Sequence, residues 1–339
     1  MMSRQILTLS FVLAGVLLTP HSGMAQDPDW ENMNYTLHRE YQAVDAGGNS
    51  TFLPSPPIKM RGIIICNPEE LLDDAPSAPN FMGGQWQIYI QAVDEGDWGG
   101  TACWMGQLYG NLPWVPPTES YTDAEWLAEL DRLNHDPITG HYFRAGDLVE
   151  VRARVPGLFY QGKANINEAH SKNPANDFDL YLIQEDVGVP DPQVIPTLQI
   201  ANTFDSTRLS GGEFYQGTWV RINSVQIVAG TWAAGSTLTV SDGTANFNML
   251  LSTQGDFGSY PAPVGKFDVL GIFDQESSDP TTGYRLWVLC YDDIIQPAEP
   301  PQIIRAVSRR THGTVGDFDL DLPLVPLNAV ECRLGGPAT

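Results

Sequence analysis

Alternation of apolar and polar positions dominates this chain and predicts short strands far more often than helices. An apolar run at residues 60–66 reads as a first strand and leads into an acidic loop with Glu69, Glu70, Asp73 and Asp74. Residues 85–91 alternate with period two, a turn spans 94–100, and 101–109 supplies a third strand, so the three form a meander. Helical spacing is convincing only at 122–134, where Trp126, Leu130 and Leu133 share one face and Thr122 with Glu125 makes a capping box. A strand at 147–155 follows, then a loop at 156–163, then a last strand or pair through Ile166 and 178–183. The proline-rich stretch 187–196 stays extended, because each proline biases its predecessor away from helix. Beyond it, strands read at 219–228, 236–241, 245–252, 266–273 and 284–292, with Ser241-Asp242-Gly243 as a hairpin signal.

Three strands, a helix and two strands is the element order of the five-stranded Greek-key barrel called the OB-fold, and the second half repeats it without the helix. The expected fold is therefore all-β: two consecutive five-stranded OB-like Greek-key barrels, the first with one inserted helix, plus a partial β segment at the C-terminus. Divided at its prolines, the chain reads as a signal peptide (1–25), an irregular leader (26–56), a first barrel (57–186), a linker (187–212), a second barrel (213–296) and the partial segment (297–339). Gly217-Thr218-Trp219-Val220, Ser241-Asp242-Gly243 and the fourth-strand pattern from Gly265 to Gly271 resemble tandem OB-fold modules of secreted bacterial proteins, including barrels found beside extracellular nuclease domains. Gly146-Asp147-Leu148-Val149-Glu150-Val151 parallels that fourth strand in the first half. The resemblance covers about 230 residues and implies a fold far better than a function. It also implies that the helix plugs one end of the first barrel. The tail, with Phe318-Asp319-Leu320-Asp321-Leu322, resembles the opening strands of a small C-terminal β-sandwich of large secreted bacterial proteins, too few strands to close one.

Compartment follows from the N-terminus. Arg4, an apolar run from Ile6 to Leu18, Pro20 and the small-residue site Gly23-Met24-Ala25 have the layout of a secretory signal peptide, so the expected location is secreted or periplasmic. No later run reaches the length of a membrane-spanning helix. Cys66, Cys103, Cys290 and Cys332 allow three disulfide pairings, among which spacing does not choose, and none has zinc-site spacing.

Composition narrows the partners. Lys and Arg number 18 against 41 Asp and Glu, a net charge of −23 that repels phosphate backbones and disfavours a nucleic-acid ligand. Charged residues are only 17%, below the usual quarter, while 26 prolines and 32 glycines suit strands and turns rather than long helices. Arg152, Arg154 and Lys163 are too few cations for a nucleic-acid track.

No nucleophile elbow, zinc helix, phosphate-binding glycine loop or complete calcium loop occurs, so the expectation is a protein without catalytic residues or cofactor. Asp94-Glu95-Gly96-Asp97 offers oxygens for calcium but lacks a closing bidentate Glu, and reads first as a hairpin turn. Asp317, Asp319 and Asp321 follow ordinary outward-polar strand patterning, and His135, His141 and His170 lack the spacing of a metal site. The pattern most suggestive of a site lies on the second and third strands. If Trp86, Ile88 and Ile90 face inward, then Gln85, Gln87, Tyr89 and Gln91 face outward, beside Met105, Gln107 and Tyr109. In OB-folds that face binds oligonucleotides or oligosaccharides, so Gln87, Tyr89, Gln107, Tyr109 and Tyr160 are the candidate ligand-binding residues. The plain alternative is that this row packs against the helix, the leader or the second barrel. The resulting expectation is a secreted, non-catalytic binding or scaffold module for a neutral polysaccharide or an extracellular protein. The alternative is an accessory portion of a secreted nuclease or other hydrolase.

Overall fold

The computed structural model describes residues 27–52, 57–72, 84–155 and 157–296. The expected signal peptide, Asp73, Asp74, Cys332 and the expected C-terminal β segment lie outside these residues.

In the first half, a short helix α1 (His38–Tyr41) precedes β1 (Ile58–Ile64), β2 (Gln85–Gln91) and β3 (Gly100–Gly106). Helix α2 (Asp123–Asn134), β4 (Leu148–Ala153), β5 (Leu158–Tyr160), β6 (Lys163–Ile166) and β7 (Phe178–Gln184) follow. The strands form one sheet in the order β5-β6-β3-β2-β1-β4-β7. Thr122 caps α2, its hydroxyl accepting from the Glu125 N–H at 3.3 Å while the Glu125 carboxylate accepts from the Thr122 N–H at 2.7 Å. Trp126 and Leu133 bury the inner face of α2, and the Trp86 indole N–H donates to Asn134 Oδ1 at 2.8 Å, fastening the helix to β2. A side chain at Gly84 would strike the Trp126 ring, so the close fit of helix to sheet depends on that glycine.

The second half contains β8 (Gln193–Ile195), α3 (Leu198–Ala201), α4 (Gly211–Tyr215), β9 (Trp219–Ala229), β10 (Thr237–Ser241), β11 (Asn246–Leu251), β12 (Phe267–Gln275), β13 (Tyr284–Val288) and β14 (Ile294–Ile295). Pairing of β12 with β9 closes β9-β10-β11-β13-β12 into a five-stranded barrel, while β8 and β14 add at its margins. Leu238, Val240, Phe247, Met249, Val269 and Leu286 fill it. Asp242 Oδ1 accepts from the Thr244 N–H at 2.8 Å and shapes the β10–β11 hairpin.

The chain is all-β with one closed barrel and one seven-stranded sheet. The halves differ in how the last strand is used. In the barrel β13 alone runs parallel to β11 and antiparallel to β12. In the first half these roles fall to two strands, β6 parallel to β3 and β7 antiparallel to β4, and no pairing among the described residues joins them. The expected loop at 156–163 is in part a hairpin. Its turn residues Gln161 and Gly162 both have positive φ, 52° and 97°, as a two-residue turn of this hand requires, and Gln is a poor sequence marker for that conformation. The extended proline-rich connector is also used: within it, β8 pairs in parallel with β9.

The two halves are joined by a buried contact. Ile272 and Leu289 of the second half belong to the core of the first, with Trp219 and Trp287 packed against it. The Gly100 N–H donates to the Gln216 carbonyl at 2.9 Å, and a Cβ on Gly100 would stand 2.0 Å from the Gly217 carbonyl oxygen. Two backbones touch there, which leaves room for no side chain. Among the described residues, no helix is long and apolar enough to cross a membrane.

Candidate functional site

The five residues marked by the strand pattern do not share an open groove. On β2 the parity is correct, with Trp86, Ile88 and Ile90 in the core, but the opposite row is covered as well: Gln87 is 8% exposed and Tyr89 1%. For Tyr89 and Gln91 the second half supplies the cover. The Tyr89 hydroxyl donates to Asp274 Oδ1 at 2.8 Å, and Gln91 Oε1 accepts from the Trp219 N–H at 2.9 Å. On β3 the expected parity is reversed: Met105 stands directly opposite Trp86 and is buried in the core, while Trp104 pairs with Gln87, and the strand ends at Gly106, so Gln107 and Tyr109 no longer follow its period. Gln107 ties Gly84 to Asp123 through its amide. Tyr109 is fully buried, accepting from the Gly106 N–H at 2.7 Å and donating to Glu168. Of the five, Tyr160, on the edge strand β5, is the exposed one, at 48%.

Two buried polar centres result. The first is at the junction, where Asp274 on β12 meets Lys163 from β6 and Arg285 from β13, with Arg285 Nε donating to Asp274 Oδ2 at 2.8 Å. Burial would raise the Asp274 carboxyl, but the two cations and the Tyr89 hydroxyl overcome it and hold it down at about 2. Asp274 is therefore a fixed anion binding two cations, a structural arrangement with no proton to exchange near neutral pH.

The second centre lies between β6 and β7. Burial pushes the Glu168 carboxyl up to about 8, against the lowering effect of the Tyr109 hydroxyl, and Glu168 Oε2 and Asn167 Nδ2 have no hydrogen-bond partner. Ala169 and His170 both adopt positive φ, and the His170 ring packs 4.8 Å from Tyr109 and 5.7 Å from Trp104, centroid to centroid. Burial lowers the His170 pKa. A neutral acid, a neutral imidazole and a strained backbone stand together here, closed over by aromatic rings.

Sequence patterning marked Tyr109 but not Glu168, and Tyr89 but not Asp274 or Arg285. The signal available for Asp274 is that its row on β12, opposite to Phe267, Val269 and Phe273, also carries Leu270 and Ile272, and Ile272 lies in the core of the first half. The candidate calcium turn is used otherwise: Asp94 pairs with Arg61, and Asp97 accepts from the backbone N–H groups of His38 and Arg39 at 2.9 and 3.0 Å. Of the three loop histidines, His135 bonds the Asp131 carbonyl and His141 the Asp147 carboxylate, and the three form no common cluster. Among the described residues no group of three or more His, Cys, Asp or Glu is placed to hold a metal ion, and Cys66, Cys103 and Cys290 are free thiols.

No family profile matches the chain, and no curated protein resembles it in sequence. Two solved structures are similar over most of its length. One, described as "Structural mimicry for functional antagonism", is 6% identical, covers 68% of this chain and 87% of its own, and superposes with a TM-score of 0.27. The other, a replication protein A heterotrimer bound to single-stranded DNA, is 9% identical with a TM-score of 0.25, over 70% of this chain and 51% of its own. Similarity at that level carries no argument about function. The architecture contains a closed barrel.

Proposed function

We propose that the chain is an exported, non-catalytic binding or scaffold unit whose two halves act as one rigid piece. The observation supporting this reading is the buried junction, where Tyr89 and Lys163 of the first half and Asp274 and Arg285 of the second form one cluster, with Glu276 as the second anion on Arg285, beside the Gly100–Gly217 backbone contact. A cleft enzyme or hinged binder needs its halves to part, and parting these strips a buried carboxylate of one of its two cations.

The surface left for a partner moves to β10 and β11. There Thr237, Asn246 and Asn248 are exposed, with Thr239 and Ser241 half-buried beside them. Hydroxyls and amides in a row hydrogen-bond sugar hydroxyls, so a neutral polysaccharide fits this face, while the net charge of −23 tells against phosphate polymers. Isothermal titration with neutral polysaccharides should give binding that a Thr239→Ala/Asn248→Ala double variant weakens at unchanged stability. Equal binding by both proteins, or none by either, removes the ligand part of the reading. Turnover of DNA, RNA or a phosphodiester, lost on substitution of a single acid, would favour a role within a secreted nuclease or hydrolase instead.

A further inference from the structure

A cleft between the two halves, away from β10 and β11, collects cations in a chain that is otherwise strongly acidic. It is lined by Arg39 and Glu40 of α1, Ala43 just after it, Trp98 of the β2–β3 turn, and Ser206, Thr207 and Arg208 of the segment before α4, and is an open depression of about 340 Å³. That volume is at the lower end of small-ligand sites.

The two guanidinium groups differ in their partners. Arg39 makes no ion pair among the described residues; its guanidinium lies over the Trp98 ring, 5.1 Å from the centroid. The nearest acid on that turn, Asp97, is already engaged by the backbone of α1. Arg208 is 2% exposed, and its backbone is held at φ 57°. Its Nη1 donates to the Arg39 carbonyl at 3.2 Å and its Nε to the Glu213 carbonyl at 3.1 Å, but Nη2 has no hydrogen-bond partner. The Glu213 carboxylate stands 3.8 Å from Nε, and its Oε1 accepts from the Tyr284 hydroxyl at 2.7 Å. The Trp98 indole N–H is likewise buried without an acceptor. The Arg39 guanidinium, without an ion pair, therefore lines the opening together with two residues, Trp98 and Arg208, that each bury a donor without an acceptor. Buried donors of this kind are costly unless something accepts from them.

We infer that this cleft binds a small monocarboxylate of sugar-acid size, its carboxylate held by Arg39 over Arg208 and its hydroxyls by Ser206 and Thr207. Guanidinium forks match carboxylate geometry, and Glu40 on the exposed rim suits hydroxyl donors. The acidic surface selects for size. A polyanion meets the repulsion of the whole face, whereas a single carboxylate within a Debye length, about 8 Å, is governed by the two cations beside it. This inference does not depend on the scaffold reading, because the test reads only the cleft.

The test is titration calorimetry of the full chain with galacturonate, galactose and inorganic phosphate at matched ionic strength. Galacturonate should bind and galactose should not, and Arg39→Gln should weaken galacturonate at least tenfold with no change in thermal unfolding. Trp98→Phe, which keeps the ring and removes the N–H, should weaken it less. No galacturonate binding by the wild type, equal binding of galactose, binding of phosphate alone, or affinity unchanged in Arg39→Gln would each overturn the assignment.

Discussion

The β2–β3 hairpin of the first half and the β10–β11 hairpin of the second occupy the same place in the strand order, and they have opposite fates. Both alternate, and both put their large apolar residues into a core. On β10 and β11 the other row, Thr237, Thr239, Ser241, Asn246 and Asn248, stays at least partly in solvent. On β2 the other row, Gln87, Tyr89 and Gln91, is buried, with Tyr89 and Gln91 bonded to the second half. A polar residue on an alternating strand is thus not evidence of a wet face. It shows only that the face is not the primary core, and a tyrosine or glutamine there serves equally well to hydrogen-bond a neighbouring protein surface.

The largest test of that contrast is Asp274→Asn. Removing the charge leaves Lys163 buried without its anion and Arg285 with Glu276 alone, and urea unfolding should show a loss of about 3–5 kcal/mol. A loss as small as that of Asn248→Ala, expected within about 0.5 kcal/mol, would mean the junction is not the interior described above.

The second test uses pH. The Glu168 carboxyl titrates at about 8 in the folded chain, above its unfolded value of about 4.3, so the proton it retains stabilises the fold at low pH. That contribution is complete below about pH 4 and is lost as pH rises towards 8, on the order of several kcal/mol across the window. Glu168→Gln keeps an acceptor for Tyr109 and has no proton to lose, so chemical unfolding at about pH 5 and pH 8 should give a flatter profile than wild type. The Asp274 carboxyl has the opposite sign. It is held at about 2, below its unfolded value of about 3.9, so its stabilisation is present above about pH 4 and is lost as pH falls through 2. Identical pH profiles for wild type and Glu168→Gln would remove the buried-acid account.

Two smaller effects sharpen the comparison. Gly100→Ala inserts a Cβ against the Gly217 carbonyl and should lower the denaturation midpoint by an amount corresponding to about 1–3 kcal/mol, whereas Gly243→Ala, with open space around it, should cost less and only through its positive φ. Tyr89→Phe removes one hydrogen bond to an ion that retains two cations, and about 1 kcal/mol is expected from equilibrium unfolding.

Much of the fold was legible along the chain because it rests on local signals. The alternation of Gln85–Gln91 matched β2 to the residue, and Thr122 with Glu125 located the start of α2. Asp242-Gly243 marked a real hairpin. The strand at 101–109 ran past its true end at Gly106, since nothing in Gln107-Leu108-Tyr109 signals that the backbone turns there. The β5–β6 hairpin lacks a clear turn signal, because a glutamine, not an asparagine or glycine, stands at positive φ in the first of its two turn positions.

The sequence by itself determined which residues alternate, where the helix caps, where the turns fall and how acidic the surface is, because these depend on neighbours a few positions apart. Only the tertiary structure decided that the fifth-strand role is shared by β6 and β7, that Tyr89 meets Asp274 across 185 positions, and that Arg39 and Arg208 share one cleft. Those outcomes depend on which surface comes to lie over which, and an alternating pattern reads the same whether its second face meets water or another sheet.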